Sequence, residues 1–335
     1  MNRCDYRIHG RRLAVTARDE GSARVLDEIF AAHRAPGGPE APDLEIEIAH
    51  GLGTAKPPRG ASLGVAADGT RFSAATDGAL VIESDGVGWA RVEPETGTAR
   101  VHLDEGVEAH AWLQGHRLLD PVVVELLKAR SLYSVHAGAV TAGGDAMLLC
   151  GASGSGKTTL SLAMALRGWG FLGDDTCYLD GAGDESVPVV GARWSPLHLT
   201  DPTLEALLPP ASRSRAERRA GAGKWFLPVH AVEGLTPVET ARVRWIVFPR
   251  IHDADTSICD GLSPSDALSR LLKQSLVPSE RATSRRQFDL LAGVCETAAC
   301  HRLLVGADLV EATDRLCALA GASAGGADGK PATRL

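Results

Sequence analysis

The chain has no cysteine pair at C-x-x-C spacing; its seven cysteines are scattered and odd in number, which argues against a disulfide framework or a zinc site. Cys295 and Cys300 stand too far apart for a close-spaced knuckle, while Cys150 and Cys177 fall in apolar runs where small core residues are expected. No continuous apolar run is long enough to cross a bilayer, and the opening residues MNRCDYRIHGRRLAV lack the apolar centre of a signal peptide. A cytoplasmic protein with no membrane partner is therefore expected. A basic excess is missing too: Lys+Arg 35 against Asp+Glu 42 gives a net charge of −7, which argues against a nucleic-acid surface. No repeat at solenoid or propeller period is present. What remains is 335 residues, 44% hydrophobic and 23% charged, enough for one large domain or two modest ones.

One stretch stands out, Met147 to Asp175, MLLCGASGSGKTTLSLAMALRGWGFLGDD. It contains G-x-x-x-x-G-K-[ST] between an apolar run and a segment of helical period, the context a phosphate-binding loop requires. Gly151, Gly154 and Gly156 allow a tight turn whose N–H groups face inward, with Ser153 and Ser155 between them and Thr159 just beyond. A helix starting near Lys157 adds the positive end of its dipole. Lys157 is placed to reach the β- and γ-phosphates, and Thr158 to offer a hydroxyl to a Mg²⁺ that bridges them. Asp174 and Asp175 end the next strand as general base and metal ligand, labels the sequence leaves exchangeable. The competing reading, a glycine-rich helix entry that binds no phosphate, leaves Lys157 unexplained.

Around this loop the chain resembles the HPr kinase/phosphorylase family and the HPr-kinase-related kinases, including those that modify ribosomally made peptides. In that family a His-Gly element precedes the P-loop, an Arg-Gly pair closes its helix and an Asp-Asp pair follows. Here they correspond to His136 with Gly138, Arg167-Gly168 and Asp174-Asp175, with Ala137 standing where HPr kinases usually carry glycine. The loop and the Gly-Asp-Asp are also similar to phosphoenolpyruvate carboxykinase, although that enzyme's other metal and oxaloacetate ligands are not found in this chain. The specific resemblance runs from about Ser134 to Leu179 and more faintly to about Leu319. It implies an α/β fold of the HPr kinase C-terminal/phosphoenolpyruvate carboxykinase-like P-loop kind, with ATP and Mg²⁺ as cofactors. It also implies a role for His136 near the phosphates, which spacing alone reads as a core histidine bonded to backbone. Arg250, after a strand comparable to one in the related kinases, becomes a candidate for charge stabilisation. HPr kinases assemble as hexamers, so a homo-oligomer is implied.

Elsewhere the pattern places a β-rich N-terminal domain over 1–125, the P-loop domain over 126–320 and a disordered tail over 321–335. A hairpin is expected over Arg7–Val15, a helix over Ala23–Ala32, a strand over Leu44–Ile48 and a meander from Arg71 to Leu103. His9, His33, His50 and His102 are isolated and read as surface or satisfied residues. A helix over His110–Ala129 leads to a strand over Tyr133–Val140. Arg213, Arg215, Arg218, Arg219 and Lys224 form a basic segment, either a mobile loop over phosphates or a solvated charge run. The implied activity is ATP-dependent phosphoryl transfer to a Ser or Thr hydroxyl of a peptide or small protein. The alternatives are a small-molecule kinase on the same fold and a nucleotide-sensing or assembly protein without catalysis.

Overall fold

The computed structural model describes residues 2–18, 20, 30, 33–38, 41–50, 56–66, 68–104, 115–181, 189–191, 196–218, 223–275 and 281–321. All but residue 30 of the helix expected over 23–32, residues 110–114 of that expected over 110–129, and the tail beyond 321 lie outside them. The protein is mixed α/β and divides into two compact units, Met1–Ser134 with Leu276–Phe288, and Val135–Ser275 with Asp289–Leu335. The division falls after Ser134 rather than after residue 125, so helix α1 (Asp120–Lys128) goes with the N-terminal strands.

In the first unit, β1 (Asn2–Ile8) and β2 (Arg11–Ala17) form the expected hairpin. His9 and Gly10 both take positive φ there, as a two-residue turn between twisted strands demands. They are followed by β3 (Leu44–His50), β4 (Gly60–Val65), β5 (Arg71–Ala75), β6 (Leu80–Ser84), β7 (Gly88–Glu93) and β8 (Thr98–Leu103). The sheet order is β1-β2-β3-β8-β7-β6-β5-β4, parallel at β2–β3 and β3–β8 and antiparallel elsewhere. The meander from β5 to β8 is as expected, with Asp77-Gly78 and Asp85-Gly86 at two of its turns. Helix α1 packs on β7 and β8, and its Val122, Val123, Leu126 and Leu127 are buried. Pro121 sits in its first turn, where a missing N–H costs nothing.

The division between the units falls inside β9 (Leu132–Val135), which is followed by β10 (Ala137–Ala142). These replace the single strand expected over 133–140. The break is at His136, whose N–H donates to the Gln274 carbonyl at 2.8 Å. The second unit continues with β11 (Asp145–Cys150), helix α2 (Lys157–Leu166), β12 (Gly170–Gly173), β13 (Cys177–Asp180) and β14 (Val189–Gly191). Next come β15 (Leu197–Leu199), α3 (Asp201–Leu207), β16 (Glu217–Arg218), β17 (Trp225–Leu227), β18 (Thr236–Pro237) and the long β19 (Thr240–Ile251). The chain then forms β20 (Ile258–Gly261), α4 (Pro264–Leu272), α5 (Arg281–Thr297), β21 (Ala299–Val305) and α6 (Leu309–Gly321). Along the main sheet the order is β18-β12-β10-β11-β19-β14-β13, and β21 and β20 continue beside the far half of β19.

Strand β11 explains why its sequence is an unbroken apolar run. Ala146, Leu148 and Cys150 face a core shared with Ala267 and Leu271 of α4 and Leu291 and Val294 of α5. Met147 and Leu149 face the other way, onto Leu160 and Met164 of α2 and Leu316 of α6. A strand covered on both faces has no polar side to alternate with. Cys150 is fully buried, and desolvation pushes its thiol up to about 12, so it is a packing residue. No helix among the described residues is long and apolar enough to cross a membrane.

Candidate phosphate-binding site

Strand β11 runs parallel to β19, with Leu149 opposite Val247, so the loop after Cys150 emerges beside the end of β19. Gly154 and Gly156 hold φ values of 80° and 95° there, a backbone region that side-chain-bearing residues rarely occupy. Gly156 is also the residue on which α2 opens, with no side-chain cap on the helix's first N–H groups. Those donors have no intrahelical carbonyl, and with the dipole they make the loop an anion cradle. Gly138 of β10 has a different reason: a Cβ would stand 3.1 Å from Ser161 Oγ and 3.5 Å from the Lys157 carbonyl, so a side chain there would require Ser161 of α2 to shift. The His-Ala-Gly element thus packs against α2 at its glycine.

Lys157 is 6% exposed, and its ammonium donates to the carbonyls of Gly151 at 2.7 Å and Ala152 at 3.0 Å. Burial lowers its pKa; Asp174 and Asp175 pull the other way and Lys224 adds to the lowering. The Thr158 hydroxyl donates to Asp174 Oδ1 at 3.1 Å. Asp174 is 5% exposed, and burial, with the Asp175 charge second, pushes its carboxyl up to about 6. Asp175 differs in every respect. Its side chain is 48% exposed and its φ is +72°. Thr176 N–H closes onto the Asp174 carbonyl at 2.9 Å, forming a γ-turn of the strained positive-φ kind around Asp175. The half-exposed His136 bonds through Nδ1 to the Asp175 carbonyl at 2.7 Å and lies 3.4 Å from Asp175 Oδ1. The backbone-bonded histidine and the site histidine are one and the same residue.

The loop therefore brings Lys157, Thr158, Asp174, Asp175 and His136 together. Ser153 lies exposed at the loop's tip, and Thr159 points from the first turn of α2 to Thr203, hydroxyl to hydroxyl at 2.9 Å. Arg250, the penultimate residue of β19, lies alongside the loop, with its side chain exposed and without a hydrogen bond or ion pair among the described residues. Ile251, 57% exposed, flanks Gly156, and nothing in the sequence singled it out. The basic segment is less free than a mobile loop would be. Arg213 Nε donates to the Leu208 carbonyl at 2.6 Å, and Arg218 binds the Asp201 carboxylate while lying 5.2 Å over the Trp225 ring. Residues 219–222 of that segment lie outside the described ones.

No family model matches the chain, and no curated protein matches it in sequence. Among solved structures 44 chains match, one being the HPr(Ser) kinase/phosphatase from Coxiella burnetii. It is 13% identical, at a TM-score of 0.29, and the match covers 57% of this chain and 99% of that one. That is a weak likeness. It carries no argument about activity, and any functional conclusion has to come from the side chains of the loop and its neighbours.

The residues fit a nucleotide phosphate with magnesium on two observations. Ser155 Oγ is buried in the loop without a hydrogen-bond partner among the described residues, a cost that an added acceptor or donor would remove. Thr158 and Asp174, hydrogen-bonded to each other, form an all-oxygen donor pair of the kind a hard divalent cation prefers. Among the described residues no three His, Cys, Asp or Glu side chains are grouped to hold a metal unaided. Magnesium needs no such cage, because phosphate oxygens and water complete its shell.

Burial of Asp174 has a measurable consequence. With its carboxyl raised to about 6, the folded protein holds this proton more tightly than the unfolded chain, whose carboxyl titrates at the ordinary 3.8. The penalty is absent below about pH 4, grows as pH rises toward 6 and is complete above it, on the order of 3 kcal/mol. Without divalent cation, Asp174→Asn should stabilise the second unit more at pH 7 than at pH 4. Denaturant titrations at the two pH values measure this, and a gain independent of pH would contradict it.

Proposed function

We propose that the protein is an ATP-dependent kinase that transfers the γ-phosphoryl group to a hydroxyl, most naturally that of Ser or Thr in a peptide or small protein. The observation that carries this reading is the pairing of Thr158 with Asp174 beside Lys157, with a second, exposed carboxylate one residue further on. Bound Mg²⁺ and ATP would supply the transferable phosphoryl group and the divalent charge that neutralises it. The chain's own residues divide the remaining work. The loop N–H groups and Lys157 hold phosphate oxygens, and Thr158 with the buried Asp174 holds the metal. This exchanges the labels that the sequence alone suggests for the two aspartates. Thr158 selects its partner by contact, and it is Asp174.

Asp175 is left as the general base. It is half exposed, where an acceptor hydroxyl can reach it, and its γ-turn fixes its direction. His136 holds the Asp175 carbonyl and lies beside its carboxylate, so it positions the base. Arg250 alongside the loop is the candidate to stabilise charge on the transferring group. A binding module that only senses nucleotide has no need of an exposed carboxylate held in a strained turn next to a buried one.

Incubation with γ-labelled ATP, Mg²⁺ and a library of Ser- and Thr-containing peptides tests the reading. Acid-stable label on peptide is the expected result. Binding of ATP with label appearing in neither peptide nor small hydroxyl compounds would favour a sensing role instead.

A further inference from the structure

We propose that a rim formed by Ile251, Ile258 and Val310 receives the acceptor peptide, taking an aliphatic and a basic residue that stand about four to six positions from the Ser or Thr. The inference rests on the kinase reading and names what its substrate carries. Those three are the large apolar side chains left exposed among the described residues of the second unit, each between 45% and 57% exposed. Apolar residues scattered singly over a surface need no explanation. These are gathered at one place. Ile251 ends β19 opposite Val305, the last residue of β21, and its Cγ1 lies 3.8 Å from where a Cβ on Gly156 would stand. Ile258 opens β20 on the far side of β21, opposite Leu304. The connection between them, His252 to Ser257, is pinned to the turn before α6 and to its first turn. Ala307 N–H donates to the Ala254 carbonyl at 3.0 Å, Gly306 N–H to Ser257 Oγ at 3.0 Å and Ser257 N–H to Glu311 Oε2 at 2.8 Å. Val310 immediately precedes Glu311, so the three side chains bracket one loop, at the same carboxyl ends of parallel strands from which the phosphate loop emerges.

Charge and spacing say what fits there. The bracketed loop carries Asp253 and Asp255, both exposed and with no side-chain hydrogen bond or ion pair among the described residues, and the exposed Asp308 stands at the start of α6. Arginines of the same elements are engaged, Arg315 by Glu311 and Arg302 by Asp260, and Arg250 alternates to the opposite face of β19 from Ile251. An aliphatic side chain with a cation beside it therefore complements the rim. Three half-exposed side chains fall far short of the roughly 800 Å² per partner that a stable dimer buries, which favours a peptide over a second copy of the chain. Three strand spacings, β11 to β19 to β21 to β20, span about 14 Å, which an extended chain crosses in about four residues. Asp175 follows β12, on the other side of β11, so a hydroxyl bound there adds about one or two residues more.

Phosphorylation of an oriented peptide library, with a central Ser or Thr and its flanking positions varied, tests this with γ-labelled ATP and Mg²⁺. Labelled peptides should carry Leu, Ile or Met together with Lys or Arg about four to six positions to one side of the acceptor. With such a peptide, Ile258→Ser and Val310→Ser should each raise the peptide KM about fivefold to tenfold. The KM for ATP, kcat at saturating peptide and the thermal transition should stay at their wild-type values. Asp253→Lys combined with Asp255→Lys should turn the basic preference into an acidic one, a change that loss of structure does not produce. An unchanged peptide KM in both serine variants overturns the proposal. So does a wild-type dimer that Ile258→Ser disperses while the peptide KM stays the same, because the rim is then a contact between copies. Peptides labelled without preference at those positions sink this inference alone, whereas ATP binding with no peptide labelled removes the peptide-kinase reading and this inference with it.

Discussion

Asp175→Asn should lower phosphoryl transfer by about 10²- to 10⁴-fold while leaving ATP affinity nearly unchanged, because a general base acts on the acceptor and contributes mainly in the transition state. Added magnesium should not recover the loss. Asp174→Asn should behave in the opposite way. Its carboxylate shares Thr158, so its loss should raise the Mg²⁺ concentration needed for half-maximal activity, and excess metal should restore part of the rate. Single-turnover rates across a Mg²⁺ series separate the two. Rescue of Asp175→Asn but not of Asp174→Asn would return the roles to the order expected from sequence. The γ-turn adds a control: Asp175→Gly relieves the positive-φ strain and should stabilise the fold by about 1 kcal/mol while transfer is lost as in the asparagine variant.

Lys157→Met should reduce transfer by about 10³-fold or more and weaken ATP binding, since in the proposed mechanism Lys157 is the cation the loop itself would bring to the β- and γ-phosphates. The fold should survive. The ammonium's partners in the protein are two loop carbonyls, Gly151 partly and Ala152 well exposed, and water can replace it at both. Circular dichroism and the thermal transition check the fold, and turnover in the same preparation checks the role. Undiminished turnover in a folded variant would remove the phosphate site from the mechanism.

The site was more legible than the architecture around it, for identifiable reasons. The loop announces itself because glycine at positive φ, a lysine and a hydroxyl are required at fixed spacing, and Gly154, Gly156, Lys157 and Thr158 leave little room for another use. The buried strand β11 was legible as an apolar run. What the sequence left open depended on contacts between distant segments. Which aspartate meets Thr158 is decided by the γ-turn at Asp175, a backbone strain with no sequence signal in a residue other than glycine. The break between β9 and β10 is decided by Gln274, far along the chain, taking the His136 N–H. The side of the division on which α1 falls has no sequence signal, because helical period alone does not say which sheet a helix covers. The short β4 has largely exposed small residues and no alternation, so nothing in its sequence marked it.

Recognition through phosphates is the claim on which every assignment in the site depends, and titration of adenine nucleotides into the intact chain with Mg²⁺ addresses it directly. Saturable binding of one ATP per chain is expected, with AMP at least a hundredfold weaker, on the order of 3 kcal/mol between them, because in the proposed mode the loop, Lys157 and the metal-side oxygens would all meet the β- and γ-phosphates. AMP binding as tightly as ATP, or no ATP binding by the folded chain, would contradict it.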